Sequence, residues 1–137
     1  MEKMNLSIDT GSVRIAINDN TGAEIGFFTF IPTDTDIIKR FNDVAANVES
    51  YTLGDDPKAE DVVKLSDMIK SQFDLLLNGE VSENIFQKCS PLTLLPNGNF
   101  FFESVLEGIA GLIEKTTNQR VDKKLARVRA ATAKYHK

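Results

Sequence analysis

The chain has 137 residues, 42% of them hydrophobic and 26% charged, which is the profile of one globular domain large enough to bury a core without cross-links. Its single cysteine, Cys89, excludes an internal disulfide and fits a reducing compartment. The net charge of −4 is unevenly spread: residues 1–114 hold 8 Lys/Arg against 19 Asp/Glu, and residues 115–137 hold 8 against one, so an acidic body carries a basic tail.

Residues 12–17 alternate and place Val13, Ile15 and Ile17 on one face of a strand. Asn18-Asp19-Asn20-Thr21-Gly22 is dense in residues that tolerate left-handed backbone, and reads as a turn. It shares its opening with a calcium loop but lacks the distal bidentate glutamate. Residues 24–31 form a second strand, so the pattern predicts a β-hairpin over 12–31. A lone hairpin is marginal in water and must pack on helices or on another chain's sheet. Phe27, Phe28, Phe30 and Ile31 cannot all face one core, because strand neighbours point to opposite faces. Either both faces are covered within one subunit, or one face meets a second copy; a free edge is also open to a partner strand. Phe28 and Phe30 are therefore candidate partner contacts, and a homo-oligomer is one of the two alternatives.

Pro32 ends the strand, and Thr33 and Asp34 suit a helix cap. Ile37, Phe41, Val44, Val48 and Tyr51 then recur at helical spacing, predicting a helix over about 34–51 that Gly54 closes. Asp55-Asp56-Pro57 is expected to open a second helix, 57–78, with Val62, Leu65, Ile69, Phe73 and Leu76 as its buried stripe. Gly79 suits the left-handed position past its end, and Ser82 suits the cap of a short helix reaching Phe86. Residues 89–98 read as a loop with two prolines. Asn97 or Asn99 starts a third main helix, 99–117, with Phe102, Val105, Ile109 and Leu112 on its inner face; Gly108 and Gly111 are expected to permit close packing. Asn118 is the expected break before a basic amphipathic segment, 118–137, with Val121, Leu125 and Val128 on one side. The fold class is α+β and predominantly α-helical.

Nothing in this pattern sets up catalysis. His136 is the only histidine and lies beside the terminus, where a general base would lack a rigid partner. Cys89 has no base near it in sequence to generate a thiolate. Asp34, Asp36, Asp55, Asp56, Glu60 and Asp61 cluster at two helix starts, which capping explains better than a carboxylate pair or a calcium loop. The expectation is no enzyme, no cofactor and no metal. No apolar run reaches the roughly 18 residues of a membrane span, and the first residues lack a signal peptide's apolar core, which gives a cytosolic expectation without membrane contact. Arg120, Lys123, Lys124, Arg127 and Arg129 make the tail a candidate docking helix that pairs with acids on a partner. Docking on its own body is the next alternative. Nucleic acid ranks last, for want of interleaved aromatics or a DNA-binding motif.

The stretch from Met68 to about Glu114 resembles the small tail assembly chaperones of long-tailed bacteriophages, and in particular a phage family from Gram-positive hosts often assigned to that role. The shared pattern is Phe73-Asp74-Leu75-Leu76-Leu77, a glycine turn at Asn78-Gly79-Glu80, then Ser82-Glu83-Asn84-Ile85-Phe86, a loop, and an apolar helix from Phe101 through Ile113. The family's turn is commonly Gly-x-Gly, from which Asn78-Gly79-Glu80 departs. The resemblance implies a non-enzymatic protein of the host bacterial cytoplasm. It would bind the tape measure protein and keep it soluble while tail tube subunits assemble around it. It also implies a longer form made by translational frameshift. The alternative is a small phage-encoded inhibitor that binds a host or defence protein through the acidic body.

Overall fold

The computed structural model describes the backbone of residues 2–51 and 55–133, and the side chains of that span as far as residue 117. In chain order the elements are β1 (Val13–Asn18), β2 (Glu24–Phe30), α1 (Asp36–Ser50), α2 (Ala59–Leu76), α3 (Ser82–Ile85) and α4 (Phe101–Ala133). An antiparallel two-stranded hairpin followed by helices makes this a small α+β fold.

The hairpin pairs Val13 with Phe30, Ile15 with Phe28 and Ile17 with Gly26, so the alternating residues of β1 share a face with the two most buried rings of β2. The register shifts between Ile17 and Asn18, and this bulge brings Asn18 opposite Glu24. Between the strands, the Gly22 N–H donates to the Asp19 carbonyl and the Asp19 N–H to the Ala23 carbonyl, with Gly22 left-handed at φ 87°. The Asp19 carboxylate accepts from the Thr21 N–H, the Thr21 hydroxyl and the Ala23 N–H, which fixes the turn from inside.

One apolar cluster joins every element. Ile37 and Val44 of α1, Ile69, Phe73 and Leu76 of α2, Ile85 of α3 and Ile109 and Ile113 of α4 are buried against Phe28 and Phe30. Phe86 meets Phe73 edge-on at 5.1 Å and Phe101 at 5.9 Å, so a chain of rings runs from α2 past α3 to the start of α4. Gly26 sits where β2 passes the end of α3. A Cβ there would collide with the Ile85 carbonyl oxygen and lie 3.0 Å from that of Asn84.

Several local devices differ from the sequence expectations. Phe28 and Phe30, expected as partner contacts, are 3% and 5% exposed, so within one subunit they are core residues that present almost no surface. The left-handed residue after α2 is Asn78, at φ 55°, not Gly79. The Gly79 N–H then reaches the Asp74 carbonyl and the Asn78 N–H that of Leu75, the double closure of a Schellman turn. Ser82 does not cap α3. It is the first helical residue, and the Asp74 carboxylate takes the N–H groups of Val81 and Ser82 and the Ser82 hydroxyl. The start of α2 is closed by Asp61, which accepts from the Lys58 N–H, and not by Asp55 or Asp56. Gly108 and Gly111 permit no close approach, since a Cβ on either would meet nothing within 4 Å. Finally, α4 runs through Asn118 without a break to Ala133. Asparagine costs a helix only a few tenths of a kcal/mol relative to an average residue, about what a threonine costs, and no glycine or proline stands nearby to stop it. Gly54 and His136 lie outside the described residues.

Candidate functional site

Two large grooves flank the first half of α4, and a smaller one of about 240 Å³ lies between it and α1. The start of α4 is fixed by the preceding loop: the Phe101 and Phe102 N–H groups donate to the Thr93 and Pro91 carbonyls, and Glu103 accepts from the Phe100 N–H. These bonds satisfy donors that a helix start otherwise leaves open. The apolar face of α4 therefore begins at a set position relative to α2 and the hairpin.

One groove, of about 590 Å³, lies between α4 and the pair α1–α2. Phe41, Val48, Leu65 and Leu106 form its floor, and Glu49, Glu103 and Glu107 stand at its rim with no Lys or Arg among the lining residues. Such a cleft matches an amphipathic helix whose apolar face is flanked by basic residues. The second groove, of about 760 Å³, lies between β1 and α4. Ile15, Ile17, Val105, Ile109 and Leu112 give it an apolar lining. Cys89 and Ser104 also line it; Cys89 is half-buried, and the Ser104 hydroxyl is buried with no hydrogen-bond partner. Asp19 reaches the same groove, but its carboxylate is occupied by Thr21 and Ala23. Its pKa is lowered first by the Thr21 hydroxyl and then by the backbone donors.

The outer face of the hairpin is partly covered by its own charges. The Arg14 guanidinium lies 4.2 Å from the Phe27 ring centre and donates to both Glu24 oxygens, at 2.7 and 3.1 Å. This bidentate bond lowers the Glu24 pKa and raises that of Arg14. Thus Phe28 and Phe30 face the core while Phe27 packs beneath an arginine.

Of the acidic cluster read from the sequence, Asp34 accepts from the Asp36 N–H and from Arg40, which lower its pKa in that order. Among the described residues no group of three His, Cys, Asp or Glu side chains is placed to hold a metal ion. No helix among them is long and apolar enough to cross a membrane. Arg120, Lys123, Lys124, Arg127 and Arg129 lie on the second half of α4, and their side chains fall outside the described residues. Sequence reasoning missed Arg40, whose Nε donates to the Leu76 carbonyl at the end of α2, and Glu103, which serves both the helix start and the groove rim. Arg40 carries no local signal; Glu103 stands three residues after Phe100, the spacing at which a glutamate reaches back to the N–H at a helix start. Compared with known proteins, the chain matches no family model, no curated protein and no solved structure.

Proposed function

We propose that this chain is a non-enzymatic assembly chaperone of a long-tailed phage, which binds helical segments of the tape measure protein in the host bacterial cytoplasm while tail tube subunits assemble. The observation that carries this reading is the groove between α1, α2 and α4, with its apolar floor and the rim of Glu49, Glu103 and Glu107. A long helical protein exposes amphipathic faces before it is enclosed, and an acidic-rimmed apolar cleft covers such a face without any chemistry. The motif residues add support from the side of resemblance. Phe73, Asp74, Ser82, Ile85 and Phe86, which carry the resemblance, join α2 to α3 beside the groove rather than lining it.

Co-expression with the tape measure protein of the same genome, followed by pull-down and size exclusion, tests the proposal. A soluble complex is expected where the tape measure protein alone is insoluble. Reversing the exposed rim charges with Glu49→Lys and Glu107→Lys is expected to weaken that complex by about tenfold or more. An unchanged solubility with no complex overturns the proposal. A second reading, an inhibitor of a host or defence protein, is favoured by the excess of 19 acidic over 8 basic residues in the body. It would be recognised by capture of a basic host protein that is lost at high salt.

A further inference from the structure

We propose that residues 3–9 of one copy of this chain add as a third strand to β1 of a second copy, in a reciprocal arm exchange that closes a dimer. The arm has the pattern of a strand without being one. Met4, Leu6 and Ile8 alternate with Lys3, Asn5, Ser7 and Asp9, which is the period of a strand with one apolar face. Yet Met4, Leu6 and Ile8 are 93%, 86% and 70% exposed, and the arm leaves the body at Gly11, left-handed at φ 74°, whose N–H is held by the Asp9 carboxylate.

The vacancy that fits the arm lies along β1. The sheet has two strands, so β2 occupies one edge of β1 and the other edge has no strand partner among the described residues. That edge opens on the 760 Å³ groove: consecutive residues Ile15, Ala16, Ile17 and Asn18 line it, which places the strand's edge and not merely one face against the space. Across the groove, Gly108 would carry a Cβ into open space, leaving room for a passing backbone. A strand laid there turns one face onto Val105, Ile109 and Leu112. The arm supplies Met4, Leu6 and Ile8 for that face.

The occupant is the arm of a second copy because each copy holds both an extended arm and an empty edge. Reciprocal exchange fills both vacancies about one two-fold axis. This association is independent of any partner in the groove between α1, α2 and α4.

Size exclusion with light scattering on the full chain at about 100 μM tests the inference. The expected mass is twice the 15.2 kDa of one chain. Two variants address the two halves of the contact: Leu6→Asp places a charge on the arm's apolar face, and Gly108→Leu fills the groove while raising helix propensity. Each is expected to run as a monomer with unchanged far-UV circular dichroism. A wild-type chain that is monomeric at that concentration overturns the inference, including the case in which the arm pairs with its own β1. A dimer that persists in either variant overturns it as well.

Discussion

Replacing Asp74 with Ala removes the acceptor of the Val81 and Ser82 N–H groups and of the Ser82 hydroxyl, bonds of 2.9, 2.8 and 3.2 Å in a part-buried site. Because an orphaned buried donor costs more than a bond contributes, Asp74→Ala is expected to destabilise the fold by about 2–3 kcal/mol in urea unfolding. Asp74→Asn keeps one acceptor oxygen and should cost about 1 kcal/mol. Gly26 has less latitude. An alanine there meets the Ile85 backbone carbonyl, which cannot swing aside as a flexible side chain would. Gly26→Ala is expected to cost about 3 kcal/mol or to prevent folding, read from the same unfolding midpoint. Asp19, Glu24 and Asp34 all titrate below their ordinary values, so each adds stability that is complete above its unfolded pKa and is lost as pH falls through the folded one. The unfolding midpoint should therefore stay flat above about pH 5 and drop below it, and Asp19→Asn and Asp34→Asn should each make that drop shallower.

At the scale of elements, the end of α2 depends on a non-glycine residue at φ 55°. Asn78→Gly relieves the strain of that conformation and should leave stability within a few tenths of a kcal/mol or raise it, whereas Asn78→Ala should cost about 1 kcal/mol by thermal unfolding. Asparagine is the residue that best tolerates such a backbone after glycine. The helix α4 has 33 residues and spans about 50 Å, and Ile113 is the last buried one among its described side chains, which stop at residue 117. Ending the chain after residue 117 keeps every described core residue, and is expected to leave the stability of the body within about 0.5 kcal/mol while removing the basic segment.

For the molecule as a whole, two grooves beside one helix mean that the core is closed on fewer sides than its sequence allows. Ala110 lines the groove between α1, α2 and α4 and is half-buried. Ala110→Leu should raise Tm by about 3 °C by filling it and, under the proposed function, weaken binding of a helix in that groove. Periodicity alone carried the hairpin and the main helices, each starting within about two residues of its expected place, because one buried face per element imposes that pattern. It carried neither the grooves nor the side-chain clamps. Arg40 acts on Leu76, distant in sequence, Asp74 acts across a turn on Val81 and Ser82, and which face of the hairpin lies inward depends on helices packed against it. The roles of Phe28 and Phe30 turned on that point: aromatic residues on a strand have the same pattern whether a core or a partner covers them.

The bonds from Phe101 and Phe102 back to Thr93 and Pro91 reverse the usual behaviour of a helix end. In most helices the first amides have no acceptor and exchange with deuterium within the local fraying time. Here those two amides belong to buried residues and are bonded to a loop that must detach before they open. They should exchange only with global unfolding, and protection should decline along α4 past Ile113. A single continuous helix would then show a graded exchange profile, most protected at its beginning, and peptide-level hydrogen exchange would read it directly.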